Sequence, residues 1–584
     1  MKQFLKFTLA SIVGVSIITI LFWVVVISIA SADPEPMVIS NNSVLKVKFY
    51  NTIEDRAPEN PLANFNINGF DSTPMGLNLF LKAVKKAKND PQIEGIYLDL
   101  NSLPAGIASI EEMRNALIDF KDSGKFIASY SEIYSQGSYY LASVSDRIYV
   151  APEGGMDFRG LSAQITFFKN ALEKLGVEPQ IIRHGKFKSA IEPFILDKMS
   201  PENREQTATY MGSIWNHMLE DIATSRNTSA AKLNQIAEQL LIQNAKDAKT
   251  YGLIDALMYK DEIMADLPTL GDYENFSDLN IVSIQDYLLT FDDQAIAKYR
   301  KDNIAVIYAQ GEIQSGKGDE LTIGSDRIAK AIRNAREDEK VKAIVLRVNS
   351  PGGSALASDI IWREVALASE KKTVIASMGN VAASGGYYIS CAADKIFANP
   401  NTITGSIGVF GVLMNAQELL EDKIGLSFDQ VNTNEFSDMG AINRSLTSTE
   451  RAIIQKSVED VYDTFITRVA DGRKMTKDEV DAIGQGRVWS GENAMEIGLI
   501  DEFGGLNQAI AAAATMAELE DYVVVEYPEM EDPISAIFQQ VKGESEISVI
   551  KEKLGNEYRY YLQLEAALQR RGIQARIPYE LNIE

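Results

Sequence analysis

The chain has 584 residues, 46% hydrophobic and 24% charged, enough for several folded domains. Its net charge of −24 repels phosphate backbones and excludes nucleic acid as a partner. A single cysteine, Cys391, and two histidines, His184 and His217, exclude an intrachain disulfide and argue against a zinc site or a Ser-His triad. No metal and no cofactor are expected.

In chain order, Lys2 and Lys6 precede 26 uncharged residues, Phe7 to Ala32. As a helix this run spans roughly 39 Å, enough to cross a bilayer with some tilt. Ala30-Ser31-Ala32 resembles a cleavage site, but the apolar run exceeds the roughly 7–15 residues of a secretory signal. We therefore expect a retained transmembrane helix, with residues 7–32 in the lipid bilayer and residues 1–36 forming anchor and spacer. The two lysines orient the N-terminus to the cytoplasm and the rest of the chain outside it.

A strand is expected at Val44–Tyr50, a loop at Asn51–Thr73, a helix at Leu77–Lys88 and a buried strand at Ile93–Leu100. The pattern returns as strand Ile304–Ala309, helix Asp326–Arg336 and strand Ala343–Val348. Strands alternating with helices at this spacing imply an α/β fold with a parallel sheet. More helical segments start at Ser200 and Leu446, and both close on Gly-Leu-Ile-Asp, at 252–255 and 498–501. The expected organisation is a first repeat at 37–270, a linker at 271–300, a second repeat at 301–520 and a mostly helical tail at 521–584, with a helix within Glu544–Arg571.

The repeats align directly. At an offset of 248, Phe126–Pro152 falls on Val374–Pro400 with 9 of 27 positions identical. Ser384, in Ala-Ala-Ser-Gly-Gly, falls on Gln136, and Lys188 falls on Ser437 once one residue is inserted. One copy keeps a serine and the other a lysine, as in a duplicated enzyme whose half-sites each lost what they no longer needed.

A serine hydroxyl needs a base to take its proton. With both histidines outside the glycine-rich motifs, Lys188 is the candidate, because Phe187, Ala190, Ile191, Pro193 and Phe194 surround it with apolar sequence. Burial must lower such a lysine from about 10.4 toward 7–8 before it can act. Asn349-Ser-Pro-Gly-Gly-Ser354 follows a buried strand, and Gly385 follows Ser384. The N–H groups of Gly353 and Gly385 are therefore candidates for an oxyanion hole. A small-residue packing motif and a surface lysine are the bland alternatives for the same residues.

The motifs Ser350-Pro-Gly-Gly-Ser354, Met378–Tyr388 (MGNVAASGGYY), Thr404-Gly-Ser-Ile-Gly408 and Lys186–Phe194 (KFKSAIEPF) resemble signal peptide peptidase A in its long bacterial form. The resemblance covers roughly residues 1 to 520. It implies a tandem duplication of a Clp-protease/crotonase-like ββα spiral domain behind the N-terminal transmembrane helix. It implies a Ser-Lys dyad endopeptidase with Ser384 as nucleophile, Lys188 as general base and Ser406 orienting the lysine. Further implications are peptide substrates, cleaved signal peptides among them, a homo-oligomer of tetrameric form, and a single-pass inner-membrane protein with periplasmic catalytic domains. A crotonase-like acyl-CoA enzyme and an inactive membrane scaffold are the alternatives.

Overall fold

The computed structural model describes residues 6–8, 10–19, 21, 39–57, 75–271, 273, 275–290, 302–530 and 573–577. Residues 6–8, 10–19 and 21 are helical. The rest of the expected anchor, and the helix expected within Glu544–Arg571, lie outside the described residues. Among the described residues no helix is long and apolar enough to cross a membrane.

Two sheets carry the duplication, the first parallel and the second parallel except where Val488–Ser490 pairs antiparallel with Ile403–Gly405. The first runs Ala256–Leu257, Arg147–Met156, Phe126–Tyr134, Ile93–Asp99, Ser43–Lys48, Asn280–Ser283. The second repeats that spatial order with Glu502–Phe503, Lys395–Ala398, Thr373–Ala383, Val341–Ser350, Asn303–Gln310, Val523–Tyr527. Helices cover these sheets, so the strands read as nearly continuous apolar runs rather than alternating ones. Helix Leu77–Asn89 buries Leu77, Phe80, Leu81, Val84 and Ala87 on one stripe, with Lys86 and Lys88 in its last turn.

Two expectations about boundaries change. The stretch 271–300, expected as a linker, contains Asn280–Ser283, which pairs with Ser43–Lys48. The tail, expected to be mostly helical from 521, starts with Val523–Tyr527, which pairs with Asn303–Gln310. These two strands occupy the same edge of their respective sheets, so each repeat ends on a strand returning beside its own first one. Four and five residues give too little periodicity to reveal such a strand, because its partners lie over 200 residues away.

A third sheet joins the repeats. Its order is Thr322–Gly324, Glu312–Gln314, Gly352–Ser354, Ile573–Arg576, Phe410–Asn415, Glu178–Arg183. Glu178–Arg183 belongs to the first repeat and pairs antiparallel with Phe410–Asn415 of the second. A buried ion cluster also crosses the boundary. The Arg347 guanidinium donates to Asp55 at 2.7 Å and Glu112 at 2.6 Å, and to Ser377 Oγ at 2.9 Å. Glu112 further accepts from Leu506 N at 2.8 Å. Desolvation pushes the Glu112 carboxyl upward, against the pull of Arg347.

Candidate active site

Strand Thr373–Ala383 first pairs with Lys395–Phe397 and then with Ile403–Gly405, and it ends at Ser384. The serine has φ 56° and ψ −111°, and helix Gly385–Ser390 starts immediately after it. Such a backbone is costly for a residue with a Cβ. It is held by Ser384 N donating to Gly405 O and Tyr388 N donating to Ser384 O, both at 2.8 Å. The first repeat has relaxed here. Its helix Gln136–Ala142 is capped by Ser135 at φ −73°. Gln136 instead ties a loop: its Oε1 accepts from Arg159 N and Gly160 N, and its Nε2 donates to Gly160 O.

Lys188 arrives from the other repeat. Strand Glu178–Arg183 leads into a segment stitched to the second repeat by His184 N to Val409 O at 3.1 Å and Phe187 N to Gln485 O at 3.0 Å. The Lys188 Nζ stands 2.8 Å from Ser384 Oγ and 3.1 Å from both Ser406 Oγ and Ser406 O. Lys188, Ser384 and Ser406 are fully buried. Burial holds the Lys188 amine well below the ordinary lysine range. A neutral amine has two N–H donors and one lone pair. The two Ser406 oxygens can take the donors, which leaves the lone pair for the Ser384 hydroxyl.

Gly353 and Gly385 fall in one patch with Gly352. A methyl on Gly352, at φ 96°, would come within 2.8 Å of Gly385 N, and one on Gly353 within 2.0 Å of Ile313 O. Only glycine fits the chain there. Of the five residues singled out from the sequence, Lys188, Ser384 and Ser406 lie within hydrogen-bond reach of one another, Gly385 follows the serine, and Gly353 adjoins Gly352, whose added methyl would meet Gly385 N. Ser437, opposite Lys188 in the repeat, is exposed and donates to Asn434 O.

Sequence reasoning missed the frame of the lysine. A methyl on Gly486, at φ +83°, would meet Lys188 N, Cα and Cβ at 2.7 Å, and one on Gly408 would meet Lys188 Cδ at 3.3 Å. Buried Gln206 donates to Phe187 O and Ser189 Oγ and accepts from Val488 N. Glu192 is buried and accepts from Ser200 Oγ and Asn203 Nδ2. A Glu in the lysine motif followed eight residues later by a helix-capping serine was the one readable signal. Neither histidine serves the serine: His184 stacks on Tyr462, and His217 binds Glu111 at 3.0 Å. Glu111, His217 and Asp221 form the grouping that could hold a metal among the described residues. It is a separate network, in which Asp221 pairs with Arg114 and accepts from the Tyr140 hydroxyl.

Comparison with known proteins agrees with this duplicated layout. The model of Peptidase family S49 matches twice, at residues 119–273 and 366–520. "Protease 4" of Haemophilus influenzae is 36% identical over 508 residues, covering 85% of this chain and 82% of that protein. "Protease 4" of Salmonella typhi is 38% identical over 473 residues, covering 79% and 75%. "Serine protease SPPA, chloroplastic" of Arabidopsis thaliana is 35% identical over 469 residues, covering 78% and 68%. A ClpP1 mutant from Listeria monocytogenes aligns over 94% of its own length and 35% of this chain, at 17% identity and a TM-score of 0.24, a likeness too weak to bear on the fold. With two matches that together span more than half of its length, and relatives of 35–38% identity that cover 78–85% of it, the chain belongs to Peptidase family S49, in the long form that carries the domain twice.

Proposed function

We propose that this peptidase is a serine endopeptidase with one Ser-Lys dyad per chain, Ser384 as nucleophile and Lys188 as general base. As Ser384 Oγ bonds to the scissile carbonyl carbon, its proton passes to Lys188 Nζ. The N–H groups of Gly353 and Gly385 receive the oxyanion, a contribution of several kcal/mol. Collapse of the intermediate expels the amine, which takes the proton from Lys188. Water, deprotonated by the same lysine, then attacks the Ser384 ester, and the proton on Lys188 Nζ passes to Ser384 Oγ as the carboxylic acid product leaves. Ser406 orients the amine through its two oxygens.

The observation that carries this reading is the fully buried Lys188 amine 2.8 Å from Ser384 Oγ. An acyl-CoA enzyme that holds a thioester on glycine N–H groups, or an inactive scaffold, gives that buried lysine no task. Residues 7–32 as a membrane anchor, a periplasmic site, a tetramer, and cleaved signal peptides and other extended peptides as substrates complete the proposal. Their support is the uncharged N-terminal run and the family. The test is hydrolysis of a fluorogenic peptide library by Ser384→Ala and Lys188→Ala proteins. Both should lose at least about 10³-fold in kcat/KM, with unfolding transitions that show them folded. Full activity in either variant would overturn the dyad.

A further inference from the structure

Lys188 is presented on a tight turn. Its φ of −72° and ψ of 79°, with Ser189 N donating to Phe187 O at 2.7 Å, make it the centre of an inverse γ-turn. Such a turn closes one hydrogen bond, and the direction of its central side chain depends on what holds its two flanks. Gln206, on helix Pro201–Ser225 of the first repeat, holds both. Its Nε2 stands 2.9 Å from Ser189 Oγ and 3.2 Å from Phe187 O. The other end of the same amide, Oε1, accepts from Val488 N at 3.0 Å. Val488 pairs with Gly405, whose carbonyl accepts from Ser384 N and whose chain neighbour is Ser406. One buried side chain therefore bonds the lysine turn at one end and the strand beside Gly405 and Ser406 at the other.

The amide has one orientation that satisfies its surroundings. Nε2 also lies 3.2 Å from Asn203 Oδ1, and Asn203 is itself oriented, because its Nδ2 donates to Glu192 at 2.9 Å. Turning the Gln206 amide over would set Oε1 against the Phe187 and Asn203 oxygens, and Nε2 against Val488 N. Around the turn, Lys186 and Arg487 lie over the Phe187 ring, Arg487 also pairing with Glu205. Glu192 is taken by Ser200 and Asn203, and beyond Gly486 the Tyr462 hydroxyl donates to Asp481. The cause of the lowered Lys188 pKa is burial. In the other repeat, counted from the helix-capping residues Ser200 and Thr447, the matching position is Ile453, which has no amide to offer. The glutamine stands in the copy that kept the lysine.

We propose that Gln206 is a positioning residue for the dyad: it fastens the Lys188 turn to the strand beside Gly405 and Ser406, so that the amine stays dry and in line with Ser384 Oγ. It touches no substrate and moves no proton. The inference rests on the Ser-Lys reading above and adds the part that keeps the base in register across the two repeats. A loosened turn would lengthen the contact between Nζ and Oγ, which slows proton transfer. It would also admit water, which favours the charged amine. Both changes act on the chemical step, so kcat falls and its pH limb moves toward the ordinary lysine range, while KM, set by contacts to the peptide, holds.

The test follows hydrolysis of a fluorogenic peptide by the full-length chain as a function of pH. Gln206→Met keeps the side-chain length and removes both ends of the amide. Gln206→Glu keeps the acceptor for Val488 N, loses the donors and sets a carboxylate beside the lysine turn, which favours the charged amine. Both should lose at least about tenfold in kcat with KM within about threefold of wild type. In both the pH limb should lie higher than in wild type, and highest in Gln206→Glu. Fluorophosphonate labelling of Ser384, which needs no bound peptide, should slow by a similar factor. Thermal unfolding shows which variants keep the fold. If both lose it, Ser189→Ala, which removes a single acceptor, should show the same upward shift at smaller size. An unmoved limb in the folded variants would overturn the proposal even with kcat reduced, because a residue that only stabilises the fold has no hold on the amine's protonation. So would a kcat within about twofold of wild type. Lys188→Ala, run alongside, separates the two claims: activity in that variant faults the dyad itself. An inert Lys188→Ala beside unchanged Gln206 variants faults only the positioning role.

Discussion

At Lys188 the burial that the proposed role as base requires also lowers stability. Burial holds its pKa well below the usual lysine value, so the folded chain carries it neutral where the unfolded chain binds a proton. Between the lowered value and about 10.4 the unfolded state holds more protons, so stability rises with pH across that window. Lys188→Met should therefore raise the unfolding temperature at neutral pH, and the gain should shrink as pH approaches the ordinary lysine range. Thermal unfolding from pH 7 to 10 checks this; a constant loss at every pH would contradict a neutral lysine. The same direction governs activity. The kcat/KM of the wild type should rise with pH on a limb lying below the ordinary lysine range, and Lys188→Arg should be inactive because guanidinium stays protonated. This residue was legible in sequence through reciprocal loss: Gln136 and Ser437 mark where each copy gave up half. Its partner Ser406 was legible only by family resemblance, since nothing in Thr-Gly-Ser-Ile-Gly indicates which oxygen meets an amine.

Among elements, long periodic segments were readable and short partnered ones were not. The helix expected at Leu77–Lys88 is Leu77–Asn89, and the strand expected at Ala343–Val348 is Val341–Ser350. The edge strands Asn280–Ser283 and Val523–Tyr527 exist because a first strand offers them an edge, and no local pattern announces that. Gly486 is a similar case. Its role comes from Lys188, almost 300 residues earlier, whose backbone lies against it. Gly486→Ala would place a methyl 2.7 Å from Lys188 Cα and shift the amine. We expect a loss of about 10²-fold in kcat/KM with the chain still folded, as read by peptide kinetics beside circular dichroism. Activity within twofold of wild type would mean that the lysine segment is not seated by this contact.

Over the whole molecule, the repeats are joined by the shared third sheet and by Arg347 with Asp55 and Glu112. Position 347 corresponds to Asp99 in the first copy, so an arginine there is a difference between the repeats rather than part of the duplicated pattern. Sequence reasoning had no reason to pair it with residues 235 and 292 positions away. Removing it leaves two buried carboxylates without a cation. Arg347→Ala should cost about 3–5 kcal/mol, measured by denaturant unfolding, and a loss under about 1 kcal/mol would show that the cluster is dispensable. Because Lys188 meets Ser384 across this junction within one chain, the proposed dyad predicts that mixing Ser384→Ala with Lys188→Ala protein restores no hydrolysis. Restored activity would place each lysine on the serine of a neighbouring chain.

The central claim, that a neutral Lys188 from one repeat activates Ser384 of the other, is tested most directly by fluorophosphonate labelling with the adduct located by mass spectrometry. The account predicts a single adduct on Ser384, formed faster as pH rises and lost in Lys188→Ala. An adduct on another residue, or labelling of Ser384 at an unchanged rate without Lys188, would contradict it.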